Sequence, residues 1–434
     1  VPTGVSIVAG VEDTRRGADG GREGPAEPSR TGHRTRVRSL DGLRGVAALV
    51  VVVHHVLLVS SPALANPYRS DAAPRPPTGS LDWWLSDTPL HIVWAGPEAV
   101  IIFFALSGFV LAIPAVRRGG GWLDRSYYPR RLLRLYLPVW GAMIVAVAIR
   151  ATHSTTSVRG ATWVLNDDPS VTLSGVVHTA SVVDPAGTTM QFTGVLWSLQ
   201  WEMLFSLLLP ALLVIPLLTA KRVGLAAAVA GAALLVVAVG VSHQSWGQPS
   251  GFLQYMPVFV LGTLFAFHHE RFRRRDGSHP RSFVTATTGV AAVGLLTVGY
   301  WTEGRGMASA SWPQEIGIVV GALLALWLAL NSPALIRLFE TRVGQWLGSR
   351  SFSLYLVHYP IVAALAFAYG GRPHGWLLLL TAVPAALVGA ELFWRAVEHP
   401  ATSLARRAGD AAVTVRRPRR LPPVPVPRTP AGPG

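Results

Sequence analysis

The sequence predicts an all-α polytopic membrane protein with about ten transmembrane helices and both termini on the cytoplasmic side. Three observations predict it. Half of the 434 residues are hydrophobic and only 14% are charged, too apolar an average for a soluble chain of this size. Apolar stretches of the roughly 20 residues that a bilayer's hydrocarbon core demands recur along the chain. The basic residues, which bring the formal net charge to +15 and include a single lysine, Lys221, fall mostly between those stretches. There they set orientation and meet anionic lipid headgroups. No basic face is interleaved with aromatics on a soluble module, so the charge does not point to nucleic acid. Without cysteine, disulfides, thiol catalysis and Cys-type metal sites are excluded together.

Residues 1–37 hold Gly, Pro, Arg, Glu and Thr with few large apolar side chains. They are expected to form a disordered cytoplasmic arm, and they lack the apolar core of a signal peptide. The membrane domain is expected over 38–400. Its spans are read at 42–62, 94–116, 132–150, 195–217, 223–242, 252–268, 283–301, 315–331, 352–370 and 376–397. Residues 401–434 read as a second disordered cytoplasmic tail, ending in the Pro-rich run from Pro418 to Pro433. With both termini inside, the outer segments hold only Arg69, Arg75, Arg150, Arg159, Arg305 and Arg372. The inner segments carry the remaining loop arginines, as the positive-inside rule demands. An odd number of spans would part the two basic arms. The longest outer loop, 151–194, is a candidate lid. The Ala/Val/Leu/Gly run at 223–242 offers packing or lipid contact and no chemistry.

Ionisable groups inside a membrane are costly and are functional candidates by default. In the first span Arg44 and His55 are eleven residues apart, close to three helical turns and roughly 16 Å, so both lie on one face, with Asp41 near it. With Arg44 at the inner boundary, His55 falls near the midplane, where it suits a general base reached through a polar channel; a bond to another helix's backbone is the structural alternative. His54 points about 100° away. In Trp197-Ser-Leu-Gln-Trp-Glu202, Glu202 sits several residues inside an apolar helix, where it can orient an imidazole, raise its basicity, hold a hydroxyl acceptor, or pair with an arginine. Ser351, Tyr355 and His358 recur at i, i+4, i+7 as one polar stripe that can line a cavity or glue helices together. Arg131 and Arg134 share a face and suit a phosphate-rich ligand, though spacing alone favours positive-inside anchoring. Ser107 and Gly108 read first as close-packing positions. Glu98 is a candidate entry-site carboxylate. His268-His269-Glu270 and Glu398-His399-Pro400 read as interfacial, and adjacent histidines share no face for a metal, so no metal site is expected. Nucleotide-binding glycine loops and the nucleophile elbow are absent.

Four blocks in this order resemble acyltransferase family 3, the integral membrane O-acyltransferases. They are Arg38-Ser-Leu-Asp-Gly-Leu-Arg-Gly-Val-Ala-Ala with His55, Phe103-Phe-Ala-Leu-Ser-Gly-Phe, Trp197-Ser-Leu-Gln-Trp-Glu, and Ser351-Phe-Ser-Leu-Tyr-Leu-Val-His. The Arg131-x-x-Arg134 pair and Glu398-His-Pro400 are also similar to family features. The resemblance covers residues 38–400 and implies a stand-alone form in the plasma membrane. It implies transfer of an acyl group, often acetyl, from acyl-CoA as donor substrate to a hydroxyl of a sugar, a cell-surface glycan or a macrolide-like small molecule, with no permanently bound cofactor. By the same resemblance Arg44 and His55 match the family's Arg-x10-His element, and His55, Glu202 and Arg44 are the catalytic candidates. Arg131, Arg134, Ser107, Tyr355 and His358 are the candidates for holding the donor. Met203 stands where the family usually has a second glutamate, a departure that counts against any role needing two carboxylates.

The rival reading is a proton-coupled secondary transporter, since intramembrane His, Glu and Arg also relay protons. Neither an inverted repeat nor a matched pair of broken helices supports it.

Overall fold

The structure is a computed structural model. It describes residues 37–61, 64, 76–118, 125–151, 172–182, 194–214, 251–272, 282–302, 312–369 and 375–414. Among the described residues every regular element is helical. In chain order these are α1 (Arg38–Ser60), α2 (Leu81–Ser86), a 3-10 turn (Pro89–Val93), α3 (Gly96–Arg118) and α4 (Tyr127–Ala151). Then come α5 (Leu173–Ser181), α6 (Leu196–Leu212), α7 (Gly251–Phe272), α8 (Ser282–Thr302) and α9 (Trp312–Asn331). Last are α10 (Pro333–Phe339), α11 (Arg342–Ala368), α12 (Gly375–Phe393), a π-helical turn (Trp394–Glu398) and α13 (His399–Thr414). Seven described helices are long and apolar enough to cross a membrane, and α6 is a shorter apolar helix. The chain is thus a multi-pass membrane protein. The expected span at 223–242 and the expected arm, apart from Val37, lie outside the described residues.

Among the crossing helices α1, α3 and α11 are the most buried, whereas α8 is mostly on the outside. The helix α1 packs on α11, α3, α12 and α9; α3 also packs on α7, and α4 on α11. Lipid tails are as apolar as leucine, so helix association in a bilayer rests on close van der Waals packing, which small residues permit. The Asp-Gly-Leu-Arg-Gly element of α1 supplies them. A Cβ on Gly45 would collide with the backbone nitrogen of Gly348 on α11, and a Cβ on Gly348 with the carbonyl of Asp41. His55 lies ten residues beyond Gly45, and His358 ten beyond Gly348. The two helices therefore run in the same direction and in register, and their histidines meet about 15 Å from the glycine contact.

Three expectations need correcting. First, α11 begins ten residues before the predicted span at 352, capped by Thr341, whose hydroxyl accepts the Gly344 N–H at 3.1 Å. The apolar run marks the stretch suited to lipid, and the polar turns before it are helical because they pack on α1. Second, residues 401–414 are not a disordered tail: α13 packs along α4, with Arg130 donating to Asp410 at 2.6 Å. Third, His268 and Glu398, read as interfacial, are buried. The π turn carries Glu398 onto α11, where it accepts the N–H and the hydroxyl of Ser353.

Candidate active site

Two imidazoles meet at one end of α1. His358 Nδ1 lies 3.0 Å from the carbonyl of Leu354, and His55 Nδ1 lies 2.9 Å from the carbonyl of Val51. A carbonyl only accepts, so each Nδ1 carries the proton. His358 Nε2 is then a bare lone pair. It stands 3.2 Å from His55 Nδ1 and accepts a second share of that proton. The network fixes the tautomer of His55: Nδ1 is tied to two acceptors and Nε2 is a free lone pair, with no hydrogen bond among the described residues. His358 is wholly buried, while His55 keeps partial exposure. The Tyr359 ring stands edge-on to His55 at 5.5 Å.

A second layer walls this pair. His54 Nδ1 donates to the carbonyl of Trp94 at 3.0 Å, and its ring stacks on Trp94 at 5.6 Å. Gly96 lies so close that a Cβ there would enter the His54 ring. His91, in the 3-10 turn, stacks on Tyr300 of α8 with centroids 3.5 Å apart. Burial keeps the His91 imidazole neutral by pushing its pKa down to about 3. Tyr300 in turn donates to Glu98 Oε1 at 2.8 Å. Glu98, expected as an entry-site carboxylate, is 1% exposed and belongs to this wall.

The other end of the site is ionic. Arg131 donates through NH2 to Glu202 Oε1 at 2.7 Å and through Nε to Ser206 at 2.9 Å. Ser107 also donates to Glu202 Oε1, at 3.3 Å. Ser206 donates to the carbonyl of Glu202 at 2.7 Å. Pro210 has no N–H for the carbonyl of Ser206, and the Tyr127 hydroxyl fills that place at 2.8 Å. Tyr127 and Arg131, one turn apart on α4, thus grip one turn of α6. The charges of Arg44, Arg131, Arg134 and Glu202 act on one another, and Glu398 acts on Arg134. Arg44 and Arg134 make neither an ion pair nor a hydrogen bond among the described residues.

Tyr355 links the two ends. It lies one turn before His358 on α11, with ring centroids 5.8 Å apart. Its hydroxyl donates to the carbonyl of Val195 at 3.0 Å and lies 2.6 Å from the Ser198 hydroxyl, one turn before Glu202 on α6. The site therefore draws side chains from α1, α3, α4, α6 and α11.

All eight residues singled out from the sequence fall in this region, but in two groups. His55 pairs with His358, which had been placed with the donor. Glu202 pairs with Arg131 rather than with an imidazole. Ser107 is a ligand of Glu202 and more than a packing residue. Met203 is fully buried in the core, so the missing second carboxylate leaves no polar gap. Ser206, Tyr127, Trp94, His91 and Tyr300 were not singled out. Ser206 and Tyr127 stand four residues from Glu202 and Arg131, so the i, i+4 rule was the available signal. No local spacing joins His91 to Tyr300.

A family model described as an acyltransferase domain, that of acyltransferase family 3, matches residues 37–395. The putative peptidoglycan O-acetyltransferase YrhL of Bacillus subtilis is 24% identical over 89% of this chain and 58% of its own length. The acyltransferase clz18 of Cochliobolus lunatus is 26% identical over 78% of this chain and 84% of its own length. The peptidoglycan O-acetyltransferase OatA of Listeria monocytogenes is 25% identical over 85% of this chain and 56% of its own length. The chain thus spans less than two thirds of the two bacterial relatives. No solved structure matches it significantly.

Proposed function

The chain belongs to acyltransferase family 3, and from that premise we propose that it transfers an acyl group, acetyl first of all, from acyl-CoA to a hydroxyl, with His55 as the base. The acceptor is a hydroxyl of a sugar, a cell-surface glycan or a macrolide-like small molecule, and the plasma membrane is where such acceptors are met. Two bacterial relatives carry peptidoglycan O-acetyltransferase in their names, which supports the glycan class.

The observation that carries the reading is the tautomer of His55. Its free Nε2 takes the proton of the acceptor hydroxyl as the oxygen attacks the thioester carbonyl. The tetrahedral intermediate expels the thiolate, which recovers the proton from Nε2. A thioester and an alcohol become a thiol and an ester, with no net proton. While His55 is an imidazolium, its Nδ1–H remains on the Val51 carbonyl and on the neutral His358 Nε2, both of which stabilise positive charge. Donor recognition is supported by Arg44 and Arg134, two guanidiniums near Arg131 that make no ion pair among the described residues; such groups suit the phosphates of a coenzyme A thioester.

The test is His55→Ala in the full chain, purified in detergent and supplied with labelled acetyl-CoA and a glycan acceptor. Transfer should fall at least ~100-fold while insertion and yield are kept. Transfer at the wild-type rate would remove the base from the reaction.

A further inference from the structure

The ionic end of the site holds an internal rival for the donor. Arg131 spends one edge of its guanidinium on α6, Nη2 on Glu202 at 2.7 Å and Nε on Ser206 at 2.9 Å, and this is the edge best formed for a bidentate anion. The pair is largely shielded, with side-chain exposures of 12% and 15%. Ser206 donates to the backbone carbonyl of Glu202 and leaves its carboxylate untouched, while the carboxylate Oε1 takes a further hydrogen bond from Ser107 of α3. The neighbouring Arg44 and Arg134 act electrostatically on the same carboxylate without touching it. An incoming phosphate that takes the same edge of Arg131 displaces Glu202 from it.

We propose that Glu202 is an exchangeable counter-ion for Arg131 that competes with the donor's phosphate, and that donor binding releases it toward Tyr355 and Ser198. This rests on the reading that an anionic acyl-CoA docks on the arginine cluster. The exchange makes no covalent change; one ion pair replaces another. It gives the carboxylate two tasks. It limits donor affinity, because two anions on one guanidinium repel each other and only one can hold its Nε–Nη2 edge. Once displaced, it is a positioning residue one turn from Ser198, whose hydroxyl meets that of Tyr355 at 2.6 Å. Donor occupancy is thus signalled across α6 to the helix that holds His358. Exchange of this kind needs a carboxylate that is paired but not locked, and only Oε1 of Glu202 is hydrogen-bonded among the described residues.

The experiment measures binding of coenzyme A to the purified full chain, wild type against Glu202→Gln, Glu202→Asp and Arg131→Gln, together with kcat and KM for acetyl-CoA. Glu202→Gln should bind coenzyme A about 10-fold tighter, within the usual range of site-to-site coupling, while kcat falls. Glu202→Asp keeps the charge but loses the 2.7 Å contact, so it should tighten binding by a smaller factor; it also serves if the glutamine variant does not fold. A carboxylate that only braces the fold would give weaker binding or no change in both variants, and that result overturns the exchange. Wild-type protein that binds no coenzyme A, and no better than Arg131→Gln, overturns the donor reading and the exchange with it.

Discussion

The two ends of the site are held by opposite means. At the imidazole end His54, His55 and His358 each give their Nδ1 proton to a backbone carbonyl, on Trp94, Val51 and Leu354. A carbonyl belongs to the helix or turn that carries it, cannot titrate and cannot leave. At the arginine end the central contact is a charge pair between side chains, Arg131 with Glu202, and two further guanidiniums act on the same carboxylate. The contrast follows the chemistry each end is asked to do. A base must present the same lone pair in every turnover, so its tautomer is locked by groups that do not move. A donor site must open and close around a charged ligand, so its counter-charge has to be replaceable.

The contrast breaks first, and by the largest factor, at His358. Replacing it with alanine removes one acceptor of the His55 proton and leaves the other on Val51. We expect kcat to drop roughly 100-fold, the lower part of the range for a positioned base, with KM for acetyl-CoA nearly unchanged. Stopped assays at saturating and limiting donor separate the two constants. A variant whose KM rises while kcat holds would put His358 with the donor, as the family resemblance implied.

Arg134→Gln should do the converse. It removes a guanidinium that makes no ion pair or hydrogen bond among the described residues, so the ground-state binding of the donor weakens: KM rises roughly 10-fold, kcat changes little, and the dependence of KM on salt becomes shallower. Equal salt slopes in wild type and variant would mean that no donor charge meets this residue.

Much of this was legible in the sequence and some was not, for physical reasons. Apolar length located the membrane helices at α1, α3, α4, α8, α9 and α12, because the bilayer imposes it on any spanning helix. It misplaced the start of α11 and the order of α13, because polar residues packed on another helix leave no apolar signature. The face shared by Arg44 and His55 was readable from helical period. The meeting of His55 with His358 was not: it depends on Gly45 and Gly348 lying against each other, a contact across some 300 positions. The closing of the wall of His91, Trp94 and Glu98 by Tyr300 was hidden for the same reason. His91, Trp94 and Glu98 follow one another closely in the chain, but Tyr300, which stacks on the first and donates to the last, comes from α8.

That wall supplies a weaker test of how rigidly the imidazole end is held. Gly96→Ala would drive a methyl group into the His54 ring. Overpacking of this kind typically costs about 1–3 kcal/mol. We expect a lower melting temperature, and a fall in kcat larger than that in donor affinity, since the displaced ring adjoins His55 at 5.2 Å between centroids. A fall in donor affinity instead would mean that the two ends are not held independently.

The smallest effect belongs to the residue that joins the ends. Tyr355→Phe keeps the ring, with its neighbours Phe103 and His358, and deletes only the hydroxyl. That hydroxyl donates to Val195 and meets Ser198, so its loss leaves a buried carbonyl with one partner fewer and a serine still able to donate to Val195 at 3.3 Å. Because Ser198 can partly take over, the net cost is that of one ordinary hydrogen bond, about 1 kcal/mol. If Tyr355 only fastens α11 to α6, the melting temperature falls slightly and kcat stays within a factor of two or so of wild type. If it also reports donor occupancy to His358, the variant should lose the kcat penalty that Glu202→Gln carries, so that the double variant turns over no more slowly than Tyr355→Phe alone. A double-mutant cycle on kcat decides between them: additive effects confine Tyr355 to structure, whereas a coupling larger than about 0.5 kcal/mol makes it the link between the exchangeable end and the locked one.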